Sequence, residues 1–357
     1  MTQTRFPQGA LLLSLVTIVA CDPAAAPVDP NPVMAERSAC EAPIAEDIVL
    51  PPGFEAVEVL VGGPLTHISG MTLHPDGRIF VSDLGEVSIN GDETILAIDP
   101  VTGSHDVIES GLPLGAPGRL AFSDGRAPGG EALLVADWNT NVTSACCGGR
   151  VLSVDLSTNT TSVLSDGWPG LSVGDPFGLA LADSGYPGGV YVMDFQGASA
   201  QEPVLFRLDE TGTEQYFASS GNQWPTDRAP RHIEFGSGDG FRGLYVVDGV
   251  PSNPTIWHVD DGGLISSFFD GSPLVSPTTA RFGRGDAFGT GMYVLDSATK
   301  ELNVIDAAGT ATHFASGLDQ TTVFSDMVFA PGCGTLYVGM GDRIVAIRPE
   351  GVGACTA

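Results

Sequence analysis

Residues able to do chemistry fall at one repeated place in this chain. Six copies of a short apolar segment recur along it, and aligning them puts Gly70, Arg119, Gly178, His232, Thr279 and Asp326 at equivalent positions. Ser69, Gly118, Phe177, Arg231, Thr278 and Ser325 stand immediately before them. Arg119, Arg231, His232 and Thr279 could together hold an anionic or neutral polar group through charge-assisted hydrogen bonds. Asp326 is the one carboxylate at that level and the candidate there for a metal ligand, with Ca2+ the ion suited to carboxylate oxygen. Trp138, Trp168 and Trp224 sit between the apolar segments, where exposed indoles recognise sugars, peptides or apolar surfaces. The competing reading is structural: a self-satisfied polar plug, and tryptophans packed within their own loops. No complete catalytic set accompanies these residues. His-Glu-x-x-His, Cys-x-x-Cys and the Gly-x-x-x-x-Gly-Lys phosphate loop are absent, which lowers zincin, thioredoxin-like and nucleotide-binding readings.

The elements that must carry this ring come from the repeat itself, and internal repeats decide organisation first. A hydrophobic run that usually ends in Asp recurs at 79–83, 133–137, 190–194, 244–248, 292–296 and 336–340. A shorter apolar segment precedes each copy, from 71–73 in the first to 327–329 in the last, and a third segment follows each. A weaker fourth follows the first five. Four short strands per copy and six copies specify an all-β fold, a six-bladed β-propeller over residues 51–350. The sixth copy lacks its fourth strand, and residues 53–60 supply it, closing the ring and removing an exposed edge.

In such a ring, loops leading into first strands and out of second strands share one face around the channel mouth. The aligned residues then stand beside the axis, and Trp138, Trp168 and Trp224 belong to loops of that face. The loops leaving second strands are longer in blades 1 to 3, which builds a wall there. The repeated aspartates read as structural. Asp99, Asp155, Asp209, Asp260 and Asp306 open turns by accepting backbone N–H groups, and Asp83, Asp137, Asp194, Asp248 and Asp296 do the same for loops. Tyr191, Tyr245, Tyr293 and Tyr337 form a packing column between blades, as Trp257 does within a strand. Glu234 and Arg281, at equivalent positions of neighbouring blades, suit a charge pair across the seam, since buried charges need partners. Asp-Gly-rich connectors such as 236–243 and 283–291 lack the spacing and terminal Glu of an EF-hand loop and read as turns.

The segment Gly-Met-Thr-Leu-His-Pro-Asp-Gly-Arg-Ile-Phe-Val-Ser-Asp (70–83) and its copies resemble six-bladed propellers of the NHL-repeat and gluconolactonase-like (TolB-like) superfamily. That resemblance implies a metal-dependent lactonase or esterase with Ca2+ held near the axis by Glu, Asn and Asp. The chain departs from it, with Gly70 where a Glu is expected, only Asp326 as an axial carboxylate, and Asn141 and Asn222 without a clear match. Residues 51–59 resemble the opening of quinoprotein sugar dehydrogenases, which implies pyrroloquinoline quinone. The reading preferred on the residues is a binding or interaction scaffold for a small polar molecule, a carbohydrate or a protein, with catalysis left open.

The N-terminus adds an export signal. Arg5 precedes an apolar run from Ala10 to Ala20, too short to span a bilayer as a mature helix. Ile18-Val19-Ala20-Cys21 resembles the lipobox of bacterial lipoproteins. The resemblance implies cleavage after residue 20, lipidation of Cys21 and a membrane anchor on the cell envelope. Residues 21–50 are rich in Ala and Pro and suit a tether, and 351–357 form a tail. Cys40, Cys146, Cys147, Cys333 and Cys355 remain as disulfide candidates in an oxidising compartment. Five is odd, so one thiol stays free or pairs outside the chain, and Cys146-Cys147 could close a vicinal ring or face separate partners. With 15 Lys+Arg against 43 Asp+Glu the net charge is −28, which argues against nucleic acid.

Overall fold

The computed structural model describes residues 43–353, apart from 86–90, 112, 126–127, 129, 139–148, 166–175, 184, 195–202, 220–227, 237–239, 320–324, 331 and 333. Cys21, Cys40, Cys146, Cys147, Cys333, Cys355, Trp168 and Trp224 therefore lie outside the described residues, as do Asn141 and Asn222. Among the described residues there are strands and no helix.

The first strand in the chain, β1 (Phe54–Val61), is the outermost strand of the last blade. Blade 1 is β2 (Ile68–Leu73), β3 (Ile79–Asp83), β4 (Thr94–Ile98) and β5 (His105–Ser110). Blade 2 is β6 (Pro117–Asp124), β7 (Glu131–Asp137), β8 (Arg150–Asp155) and β9 (Thr160–Ser165). Blade 3 is β10 (Pro176–Leu181), β11 (Val190–Asp194), β12 (Val204–Leu208) and β13 (Glu214–Ser219). Blade 4 is β14 (Pro230–Phe235), β15 (Leu244–Asp248), β16 (Thr255–Val259) and β17 (Ile265–Asp270). Blade 5 is β18 (Pro277–Phe282), β19 (Met292–Asp296), β20 (Glu301–Ile305) and β21 (Ala311–Ser316). Blade 6 is β22 (Asp326–Ala330), β23 (Thr335–Met340), β24 (Arg343–Pro349) and β1. Each blade is one antiparallel four-stranded sheet, and β1 pairs with β24 from Phe54 opposite Pro349 to Val61 opposite Arg343. The expected six-bladed ring and its closure by the N-terminal strand are both present.

Blades pack face to face through the residues that alternate onto each sheet surface. Tyr191 and Met193 of blade 3 meet Ile233, Leu244 and Val246 of blade 4. The next seams repeat the pattern with Tyr245, Tyr293 and Tyr337, the last packing on Ile68, Met71 and Ile79 of blade 1. The tyrosine column is thus the mortar between blades. Residues 43–50, sequence that reads as tether, add a clasp outside the ring. Ala45 and Ile48 are buried, Val49 bridges Ser316 of β21, and Ile44 bridges Val57 of β1.

The innermost strand of most blades opens on a β-bulge. Register slips between Ile68 and Gly70, Pro176 and Gly178, Pro230 and His232, and Pro277 and Thr279. Proline suits the first residue of an edge strand because no ladder partner needs its N–H there. A bulge re-aims side chains. Here it acts on the residues beside the axis.

Candidate functional site

Arg119 closes the axis. Its side chain runs from β6 across the channel, where Nη1 donates to the Ser69 carbonyl of blade 1 (3.1 Å) and the Ser325 carbonyl of blade 6 (2.7 Å). Nη2 donates to the Thr278 carbonyl of blade 5 at 2.8 Å. Carbonyls at the innermost strands of three blades thus converge on one planar fork of donors. Arg119 is 3% exposed, so the channel is shut at this level. Gly70 makes room for the crossing: a Cβ there would collide with the Gly118 carbonyl and crowd the Arg119 Cα.

Asp326 is the counterion. It lies 3.2 Å from Arg119 Nη1 and 3.3 Å from Arg281 Nη2. Oδ1 also accepts from Thr279 Oγ1 (2.9 Å) and the Met327 N–H (2.8 Å), and Oδ2 from the Met71 N–H (2.9 Å). Burial opposes its ionisation, but the Arg119 and Arg281 guanidinium groups prevail and hold its carboxyl well below the usual carboxylate range. His232 is 1% exposed. Burial, with Arg281 and Arg119 nearby, pushes its imidazole well below the usual value and keeps it neutral.

These contacts bear on two expectations. Asp326 does not fit a Ca2+ ligand: both oxygens already accept from several donors, and two cations occupy the space a metal would need. Among the described residues no group of three His, Cys, Asp or Glu is placed to hold a metal ion. Nor is the arginine cluster an open anion site, since Arg119 spends its fork on carbonyls and Asp326. The structure brings Arg119, Thr279 and Asp326 into direct contact. The Arg231 carbonyl accepts from Arg119 Nε at 3.4 Å, while its half-buried guanidinium turns to Ser276, donating from Nη1 to Oγ at 3.0 Å. Trp138 stacks on Phe177 of the next blade with centroids 5.8 Å apart. The match to quinoprotein openings falls largely on β1, at the outer rim of blade 6 and away from the axis.

Two residues further along each first strand lies a second ring: Thr72, Ala121, Ala180, Glu234, Arg281 and Val328. They pair with Phe80, Leu134, Tyr191, Tyr245, Tyr293 and Tyr337 respectively. Four members are small or apolar, so the axis is hollow here. The hollow is a cavity of about 590 Å3 that reaches all six first strands. It opens at the face opposite the one the sequence singled out. Leu73, Phe122, Leu181, Phe235, Phe282 and Phe329, one residue further on, form its apolar collar. Glu234 and Arg281 are its polar side, joined at 2.5 Å across the blade 4–5 seam, as their equivalent positions suggest. Arg281 also donates from Nε to the Met327 carbonyl at 2.7 Å and from Nη2 towards the Met71 carbonyl and Asp326. Burial raises Glu234 above the usual carboxyl range while Arg281 works against that rise. The signal for this cavity was in the repeat: Thr72, Ala121, Ala180 and Val328 are too small to fill the axis.

A second hollow of about 710 Å3 lies on the same face between blades 3 and 4, near Tyr186, His258 and Asp260. Its groups are engaged locally, with the Tyr186 hydroxyl donating to the Val259 carbonyl and Asp260 accepting from Gly262 and Leu264. One Gly-x-Ser-x-Gly match, Gly170-Leu171-Ser172-Val173-Gly174, falls outside the described residues.

No protein-family model and no curated protein matches the chain. Solved structures do. A gluconolactonase from Xanthomonas campestris superposes with a TM-score of 0.62 at 14% identity, covering 87% of this chain and 98% of that one. An auxiliary nutrient binding protein from Bacteroides ovatus gives 0.58 at 14% identity over 82% of this chain and 73% of its own. Virginiamycin B lyase from Staphylococcus aureus gives 0.53 at 13% identity over 83% and 99%. The fold shared with them is the six-bladed propeller, and the likeness at these identities is one of fold alone.

Proposed function

We propose that this chain is an exported propeller that binds a small molecule in the axial cavity at the exit end of its first strands. The observation that carries this reading is the cavity itself. About 590 Å3 is a ligand-sized space, and it combines an apolar collar with one convergent polar pair, the usual make-up of a small-molecule site. Propellers of the same fold include proteins named for nutrient binding and for lactone chemistry. The saturated environment of Asp326 gives the binding reading more support than a metal-dependent lactonase centred on that residue.

The cavity is tested by filling it. A small-molecule panel screened by ligand-observed NMR should yield binders of the intact chain. Thr72→Phe, on the cavity wall, should abolish their binding, and Trp138→Ala, on the opposite face, should leave it intact. Binders that ignore Thr72→Phe and respond to Trp138→Ala would move the site to the other mouth. The lipobox-like Ile18–Cys21 supports anchoring to the envelope through Cys21. Cys21→Ser should then release the protein from membranes, read by fractionation.

A further inference from the structure

We infer that the axial cavity selects a neutral ligand with an apolar body and a hydroxyl-type head, and discriminates against both carboxylate and ammonium heads. The inference rests on the cavity being a binding site and adds the chemical class of what it takes.

The four buried, mutually bonded charges at the axis sum to zero. Arg119 and Arg281 are matched by Asp326 and Glu234, with contacts of 3.2, 3.3 and 2.5 Å linking all four in a chain. A full charge entering such a half-buried space loses water and finds no uncompensated counterion. An ammonium drawn to Glu234 would crowd the Arg281 guanidinium, and a carboxylate drawn to Arg281 would crowd Glu234. Arg284 at the cavity mouth favours the charged form of Glu234 but is itself exposed, where solvent and salt screen its pull on an entering head.

The pair nevertheless keeps hydrogen-bonding capacity. Glu234 accepts from Arg281 through Oε2, and among the described residues its Oε1 has no donor. Arg281 uses Nε on Met327, Nη2 on Met71 and Asp326, and one N–H of Nη1 on Glu234. A second N–H on Nη1 remains unspent among the described residues. One free acceptor beside one free donor is matched by a group that both donates and accepts. A hydroxyl does this without bringing charge. The rest of the ligand meets chiefly Leu73, Phe122 and Leu181, while Phe235, Phe282 and Phe329 are largely committed to the blade seams, and this apolar wall suits an aromatic or aliphatic body.

The test uses three probes of one shape and different head: phenylbutanol, phenylbutyrate and phenylbutylamine. Each is titrated into the intact chain at neutral pH and followed by ligand-observed NMR or calorimetry. The alcohol should bind at least about tenfold more tightly than either charged probe. Glu234→Gln leaves the floor net positive, and the preference should then swing to phenylbutyrate. A wild-type chain that binds a charged probe as tightly as the alcohol overturns the head-group selectivity while leaving the cavity a binding site. No binding by any probe, with Thr72→Phe indistinguishable from wild type, overturns the cavity reading and this inference with it.

Discussion

Two carboxylates one ring apart should respond to acid with opposite sign. Asp326 has a folded pKa below its ordinary value of 3.8, set by Arg119 and Arg281 against burial. Its contribution to stability is complete above 3.8 and is lost as pH falls towards the depressed folded value, because the unfolded chain takes up the proton first. Glu234 has a folded pKa above its ordinary 4.5, because burial outweighs Arg281. The folded state therefore holds the Glu234 proton more tightly, and its relative stability falls as pH rises from 4.5 through the raised value. Asp326→Asn leaves two buried guanidinium groups without their shared counterion and should cost about 3–5 kcal/mol at neutral pH. Chemical denaturation at a series of pH values reads both effects. The gap between wild type and Asp326→Asn should narrow on acidification below 3.8, and the gap to Glu234→Gln should narrow as pH rises above 4.5. Gaps that stay constant with pH would mean that neither carboxyl is shifted as its surroundings dictate.

The same side chain does different work after the second and the third strand of a blade. Asp296 ends β19 with no exposure and clamps two loops: Oδ2 accepts from Val275 and Ser276, and Oδ1 from Ala298 and Thr299. Asp83, Asp137 and Asp248 hold the loop into their own first strand in the same way. Asp306 follows β20 and accepts from Ala308 and Thr310 in an exposed turn. Asp296→Ala should cost about 3 kcal/mol or more, since several buried donors lose their acceptor together. Asp306→Ala should cost a small fraction of that, because water replaces the carboxylate. Equal melting temperatures for the two variants would contradict this division. Both roles were legible in the sequence because a turn is a local device: Asp, Gly and Thr within a few residues specify it. The axial contacts were not. Arg119 and Asp326 are far apart in the chain, and only the ring geometry brings a long side chain from blade 2 to a carboxylate in blade 6. Alignment of the repeats put them at one level but could not show that they would neutralise each other. The hollow below them needed the level above to be known as closed.

A propeller has no single core, so its cooperativity depends on the ring being shut. The closing strand β1 contributes Ala56 and Val57, 3% and 4% exposed, and Arg348 of β24 bonds Glu55 at 2.9 Å. The clasp reinforces this seam from outside, with Arg343 donating to Asp47 and Val49 pairing with Ser316 on the next blade. Opening it would strip β24 of its partner and expose a strand edge competent to recruit other chains. It would also let blades 1 and 6 part, and Asp326, Met71 and Arg119 meet across that junction. Closure at the rim therefore fixes the polar plug at the axis and, below it, the shape of the cavity. Ala56→Asp places an unpaired charge inside the closing strand and should cost about 3 kcal/mol or more. Val107→Asp, on the fourth strand of blade 1, introduces the same charge at a site 55% exposed and should change stability by less than about 0.5 kcal/mol. Calorimetry with light scattering separates them. Ala56→Asp should melt early and aggregate on heating, and should also lose cavity binders before global unfolding, because the plug loosens when the ring opens. If Ala56→Asp melts like Val107→Asp and keeps its ligands, the blades cohere without the closing strand and the coupling from rim to axis is wrong.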